Sequence, residues 1–233
     1  MSSPDRSFKV SEIFQSVQGE GPSAGLPCIF LRLATCNLRC AWCDTRYSWD
    51  FAEYDYAAEV TSWSLQALLE RVVESGEPRL VVTGGEPLIQ QDLLARLCDS
   101  LPPDLRVEIE TNGTLVPNDS LCGRVDQWNV SPKLANSCET RERRFHPGAL
   151  QRLRDTGRAW LKLVVAGEKD SLEAAELARV LGWPAERVML MPLAASAEDL
   201  MLVGPAVVTA ANNLGFRYSP RLHLELFGGQ RGH

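Results

Sequence analysis

The chain has 233 residues, 45% hydrophobic and 23% charged, a make-up that fits a soluble globular protein with one sizeable core. Its formal net charge is -6, with 24 basic against 30 acidic residues, which excludes a broad nucleic-acid surface but not a small basic pocket for an anionic substrate. The opening "MSSPDRSFKVSE" lacks the apolar run of a secretory signal, and the longest apolar tract, "LMLVGPAVVTAA", is too short for a membrane span and is broken by Gly204 and Pro205.

In chain order, "PCIFLRLA" (27–34) predicts a buried strand. "TSWSLQALLERVVESG" (61–76) predicts a helix capped by Thr61 or Ser62, since Leu65, Leu68, Leu69, Val72 and Val73 recur at helical spacing. "RLVVTG" (79–84) reads as a strand, "LIQQDLLARLCDSL" (88–101) as a helix, and "LRVEIETNG" (105–113) as a strand running into a turn. "DQWNVSPK" (126–133) and "AWLKLVVAG" (159–167) are further strands, and a helix follows over 170–181. "RVMLMPLA" (187–194) is a strand, 197–214 a helix, and "YSPRLHLELFG" (218–228) a closing strand that carries His223.

Strands and helices therefore alternate at roughly the 30-residue spacing of βαβ units. About six mostly parallel strands are too few for a closed eight-stranded barrel, so the expected fold is α/β, a partial (β/α) barrel open on one side, with 1–233 as one domain. A flat doubly wound sheet is the competing arrangement. The distinctive residues fall at the C-terminal ends of successive strands: "CNLRCAWC", "TGGEP", "ETNG", "SPK" and "MPL". In parallel α/β folds that edge is where active sites are built.

The chain holds seven cysteines, and three of them, Cys36, Cys40 and Cys43, form C-x3-C-x2-C in one loop. With no signal run, a disulfide framework is not expected, and the reducing cytoplasm is the expected compartment. A zinc site or an iron–sulfur cube ordinarily takes four protein ligands. Three thiolates in a tight loop can hold three corners of a cube and leave the fourth iron open to a small molecule. The plainer reading is a structural site completed by Cys28, Cys98, Cys122 or Cys138, but no second close doublet of cysteines exists.

This cysteine spacing, with aromatic Trp42 just before the last cysteine, resembles the radical S-adenosylmethionine (SAM) superfamily. The resemblance implies a 4Fe-4S cluster on Cys36, Cys40 and Cys43, with SAM chelating the fourth iron and cleaved to a 5′-deoxyadenosyl radical. It also implies SAM contacts at Trp42, Cys43, Asp44, Gly85, Ser131, Pro132 and Lys133. Gly84 and Glu86 share the "GGEP" stretch, and Glu110 and Asn112 are weaker candidates.

"FQSVQGEGPSAGLPCIFLRLATCNL" (14–38) lacks the lysine and Ser/Thr of a phosphate loop. It is similar to the S-x-Q-G-E-G…R pattern of the 7-carboxy-7-deazaguanine synthase family, as are "CDT" and the "SPRLHLELFG" ending. That resemblance covers nearly the whole chain and implies conversion of 6-carboxy-5,6,7,8-tetrahydropterin to 7-carboxy-7-deazaguanine with loss of ammonia. It places Val17, Gln18, Gly19, Arg32 and Thr83 on the substrate, with Glu20 close by, and Thr45 on a Mg2+ ion. Arg32, inside an apolar strand, needs an anionic partner, either an internal carboxylate or the ligand. The resemblance also implies an electron donor such as flavodoxin or ferredoxin and a homodimer, with no nucleic acid or membrane partner. Another small radical SAM enzyme, such as a glycyl-radical activase, and a non-enzymatic zinc-binding module are the alternatives.

Overall fold

The computed structural model describes residues 7–233, so residues 1–6 of the opening segment read for a secretory signal lie outside it. The strands are β1 (Phe8–Val17), β2 (Pro27–Leu33), β3 (Thr61–Trp63), β4 (Arg79–Gly84), β5 (Arg106–Thr111), β6 (Gln127–Val130), β7 (Ala159–Val165), β8 (Val188–Pro192) and β9 (Arg217–Tyr218). They form one sheet in the order β3-β1-β2-β4-β5-β6-β7-β8-β9. From β2 to β9 every neighbouring pair is parallel, while β1 runs antiparallel to both β2 and β3. The first and last strands do not meet, so the sheet stays open.

The helices are α1 (Tyr56–Glu59), α2 (Leu65–Glu74), α3 (Gln91–Ser100), α4 (Asp119–Arg124), α5 (Arg141–Arg144), α6 (Pro147–Arg154), α7 (Glu168–Val180), α8 (Ala197–Leu214) and α9 (Leu222–Phe227). Side-chain caps start several of them: Ser64 Oγ accepts from Ala67 N, Asn118 Oδ1 from Leu121 N, and Ser196 Oγ from Asp199 N. Gly215, at φ +68°, ends α8 in the left-handed region that glycine enters without strain.

Alternation along the strands sorts two different faces. Ile29, Leu31 and Leu33 of β2, Leu80 and Val82 of β4, Val107 and Ile109 of β5, Trp128 and Val130 of β6, and Leu161, Leu163 and Val165 of β7 join the main core with the helices. Each such fully buried aliphatic side chain contributes about 1.5–3 kcal/mol. The intervening positions, among them Arg32, Thr83, Glu108, Glu110, Asn129 and Lys162, belong to the opposite face. The six central parallel strands thus have a dry outer side under helices and a polar inner side.

The expected partial barrel is present, with differences at both ends. β1 and β3 extend the sheet beyond the predicted strands. Thr61 and Ser62 do not cap a helix: they lie in β3, paired with Val10 and Lys9, and Ser64 is the cap of α2. The apolar periodicity of α2 is real, but edge pairing with β1 claims the residues before it. The predicted closing strand over 218–228 is instead β9 followed by α9, with His223 on the helix. Pro220 stops the ladder after Ser219, and Leu224, buried against Ala194 and Leu200, anchors the helical turn that follows.

Candidate functional site at the open rim

A cavity of about 610 Å³ opens on the polar inner side of the sheet. Its walls include Cys36, Cys40, Trp42, Cys43, Asp44, Thr45, Gly85, Ser131 and Lys133, and also Val17, Gln18, Gly19, Arg32 and Thr83. Of the residues singled out in the sequence as site candidates, Pro132 and Glu86 are set back, Pro132 buried between its two lining neighbours. Glu20, Glu110, Asn112 and His223 line the cavity as well.

The cysteine loop leaves the end of β2 and is pinned from several sides. Ala41 N donates to Ser137 O at 3.0 Å, and Cys43 N to Cys40 O at 3.2 Å. Asn112 Nδ2 donates to Asn37 Oδ1 at 2.9 Å, while Asn37 Nδ2 donates to Thr114 Oγ1 at 2.7 Å, which ties the loop to the turn after β5. Burial pushes the Cys36 thiol up to about 12 and raises that of Cys40 too, so iron must displace their protons when it binds.

The donor set fits a cube with a free corner. Cys28 and Cys98 are buried in β2 and α3, Cys122 sits in α4, and Cys138 is exposed; none of the four lines the cavity. Among the described residues, no three His, Cys, Asp or Glu side chains converge where one metal ion would sit. A cluster instead needs thiols spread over its corners, and three cysteine thiols on one wall meet that need.

Two glycines bring backbone against backbone beside this loop. A Cβ on Gly85 would lie 1.9 Å from Thr35 O, and one on Gly84, whose φ is +135°, 2.0 Å from Leu33 O. Gly85 N donates to Leu33 O at 3.0 Å and Glu86 N to Thr35 O at 2.8 Å, so no side chain fits between the strands. Glu86 does not face the cavity. It is fully buried and accepts from Leu88 N, Thr111 Oγ1 and Asn112 N at 2.7–3.0 Å, and burial raises its carboxyl above the usual range despite these donors. Across the loop, Lys133 Nζ donates to Ser131 Oγ at 3.1 Å and sits 5.5 Å from the Trp42 ring centre.

The remainder of the cavity is aromatic on one side and ionic on the other. Phe14 and Phe30 stack with ring centres 5.0 Å apart. Arg32 stands beside them, its Nε donating to Glu12 Oε2 at 2.7 Å, where Tyr47 Oη also donates at 2.7 Å. The internal partner demanded by the sequence is therefore Glu12, and among the described residues the terminal guanidinium nitrogens of Arg32 have no protein acceptor. Opposite, Glu20 is held by Lys162 Nζ and by Arg221 Nε at 3.2 Å. Burial would raise the Glu20 carboxyl, but Lys162, Arg221 and His223 together hold it far below the usual range. Thr83 Oγ1 donates to Glu110 Oε2 at 2.8 Å, Lys162 Nζ lies 3.5 Å from Glu110 Oε1, and Arg221 Nη2 donates to Asp44 Oδ2 at 2.5 Å. Burial also holds the His223 imidazole below its usual value, against the pull of Glu20.

The radical SAM superfamily model matches residues 32–199. The 7-carboxy-7-deazaguanine synthase of Hyperthermus butylicus is 38% identical over 93% of this chain and 92% of its own length. That of Pyrobaculum aerophilum is 39% identical over 96% of each chain. The chain belongs to the 7-carboxy-7-deazaguanine synthase family of radical SAM enzymes. The crystal structure of QueE from Escherichia coli matches with a TM-score of 0.63 at 27% identity, covering 91% of this chain and 93% of that one. Family membership implies a 4Fe-4S cluster and SAM, for which the three cysteines on the cavity wall are the donors at hand.

Glu12, Lys162, Arg221, Trp49 and the Phe14–Phe30 pair escaped the sequence reading. For Lys162 a signal existed: a lysine at the second inward position of "AWLKLVV" interrupts an otherwise apolar strand, and Glu108 stands between the core residues Val107 and Ile109 of "RVEIET". Arg221 carried none, because its place depends on a helix read as a strand.

Proposed function

We propose that the chain converts 6-carboxy-5,6,7,8-tetrahydropterin to 7-carboxy-7-deazaguanine, releasing ammonia, in 7-deazapurine and queuosine biosynthesis. When bound, the cluster and SAM supply a carbon-centred radical that removes hydrogen from an unreactive carbon. Cys36, Cys40 and Cys43 hold the cluster. Trp42, Asp44, Gly85, Ser131, Pro132 and Lys133 surround SAM, with Gly84 and Gly85 giving it close access to the backbone. Val17, Gln18, Gly19 and Thr83 seat the pterin, whose flat ring suits the stacked Phe14 and Phe30. The free end of Arg32 takes the substrate carboxylate, as a planar guanidinium does well.

The observation that carries this reading is the meeting, in one cavity, of three cysteines with no fourth and of an arginine beside an aromatic wall. Thr45, on the same wall, would contribute a hydroxyl to Mg2+, an ion that keeps several other oxygen ligands from water or substrate. A low-potential donor such as flavodoxin or ferredoxin supplies the electron. A homodimer is what the family resemblance implies. Among the described residues no helix is long and apolar enough to cross a membrane.

The test is anaerobic turnover of the reconstituted protein with the carboxytetrahydropterin, SAM and a reductant, read by mass spectrometry. Deazaguanine product supports the reading. An intact cluster that cleaves SAM without forming that product refutes the substrate assignment.

A further inference from the structure

The three cysteine sulfurs are unequally served by hydrogen-bond donors. Cys36 Sγ accepts only the backbone N–H of Leu38, at 3.4 Å, and Cys40 Sγ has no donor among the described residues. Cys43 Sγ, by contrast, accepts the indole N–H of Trp49 at 3.3 Å and lies 3.7 Å from the Thr45 hydroxyl. Trp49 is the one side-chain N–H on any of the three sulfurs among the described residues. Trp42, the aromatic inside the motif, spends its N–H elsewhere, on Asn136 Oδ1 at 3.2 Å.

The chain is folded to bring Trp49 there. After Cys43, residues Arg46–Ser48 make a single 3-10 turn, closed by Trp49 N donating to Arg46 O at 3.0 Å. Thr35 N donates to Ser48 O at 2.7 Å and fastens the turn to the backbone beside Cys36. Two guanidiniums flank the indole: Arg39 Cζ is 5.9 Å and Arg46 Cζ 6.0 Å from its ring, and Asp50 holds Arg46 at 2.5 Å. Cations at an aromatic ring draw on its electron density and make the N–H a better donor.

We infer that Trp49 raises the reduction potential of the cluster by donating its indole N–H to Cys43 Sγ. This rests on the three cysteines holding the cluster. One electron, arriving from an external reductant, makes the iron–thiolate unit one charge more negative. A donor on a coordinating sulfur stabilises that more negative state more than the oxidised one, and hydrogen bonds to sulfur are among the determinants of cluster potential. Trp49 touches the ligand rather than the substrate, so it is a positioning residue that acts through Cys43.

The experiment is an anaerobic redox titration of reconstituted wild type and Trp49→Phe, followed by the electron paramagnetic resonance (EPR) signal of the reduced cluster. Iron and sulfide are measured on each sample, and dithionite serves as reductant. Trp49→Phe keeps an aromatic ring and removes the N–H together with the five-membered ring that carries it. The expected result is full iron content with a midpoint shifted to more negative potential. The reduced-to-oxidised ratio at fixed potential falls by up to about tenfold, which is about 59 mV for one electron. A fully loaded variant with an unmoved midpoint overturns the inference while leaving the cluster reading intact, whereas wild type without iron overturns the cluster reading itself. If the variant fails to load, Trp42→Phe holoenzyme labelled with 15N at the indole nitrogens, in which Trp49 is the one indole lining the cavity among the described residues, answers instead. A 15N hyperfine coupling to the reduced cluster supports the hydrogen bond, and its absence overturns it.

Discussion

A single carbon added at Gly85 separates backbone contact from collision. Its Cβ would lie 1.9 Å from Thr35 O and 3.0 Å from Cys36 Cβ, and backbone cannot give way as a flexible side chain can. Gly85→Ala is expected to cost about 1–3 kcal/mol of stability and to lower iron content, as read by thermal melting and iron assay. Gly123, in α4 with nothing within 4 Å of an added Cβ, is the contrast: Gly123→Ala is expected to stabilise by about 0.5–1 kcal/mol. Glu20 gives a pH signature. Its folded-state carboxyl is depressed below the ordinary glutamate value of about 4.5, so its stabilising contribution is present above that pH and is lost as pH falls. Glu20→Gln should be less stable than wild type by up to about 3 kcal/mol at pH 7, since Lys162 and Arg221 each lose a charged partner. In urea titrations the gap should narrow as pH drops below about 4.5; a gap independent of pH would show that the carboxylate charge is not what Lys162 and Arg221 require.

Among the elements, the parallel strands and the long helices were legible because each carries one periodicity over enough residues. β2, β4, β7 and α8 appear where their apolar patterns put them. The termini of the fold were not, because pairing partners decide them. The ladder to β1 takes Thr61 and Ser62 out of a helix, and the packing of Leu224 turns an extended-looking tail into α9. At the site, the cysteines and the glycine turn were legible because their chemistry is bound to spacing. Lys162, Arg221 and Glu12 were not, since their roles arise where strands far apart in sequence face one cavity. Pro205 offers a test at this scale. It sits exposed inside α8, where it removes a helical N–H, with Gly204 beside it against Tyr218. Pro205→Ala should stabilise the protein by about 1–3 kcal/mol in denaturant titration and leave turnover unchanged. A loss of stability would mean that the proline relieves a strain which a regular helix imposes on Gly204.

In the whole molecule, an open sheet exposes its polar inner side, and the last residues of the chain lie across that opening. Gly228 to His233 contribute to the cavity wall. Arg231 places its guanidinium 3.5 Å from the Tyr47 ring centre and bonds Glu59 of α1 at 2.9 Å, so the strand-to-helix segment and the tail are joined over the mouth. Removing residues 228–233 is expected to raise KM for the pterin about tenfold with little change in melting temperature, because the tail adds few buried contacts to the core. An unchanged KM would mean that the strap does not bear on substrate retention. The proposed function rests on a three-thiol site whose fourth corner is left to SAM. The most direct measurement is the EPR spectrum of the reduced, anaerobically reconstituted protein before and after SAM is added. The expected result is a 4Fe-4S signal whose shape changes on addition, because SAM joins the iron that no side chain holds. A spectrum indifferent to SAM, or a protein that carries zinc and no iron, would contradict the account.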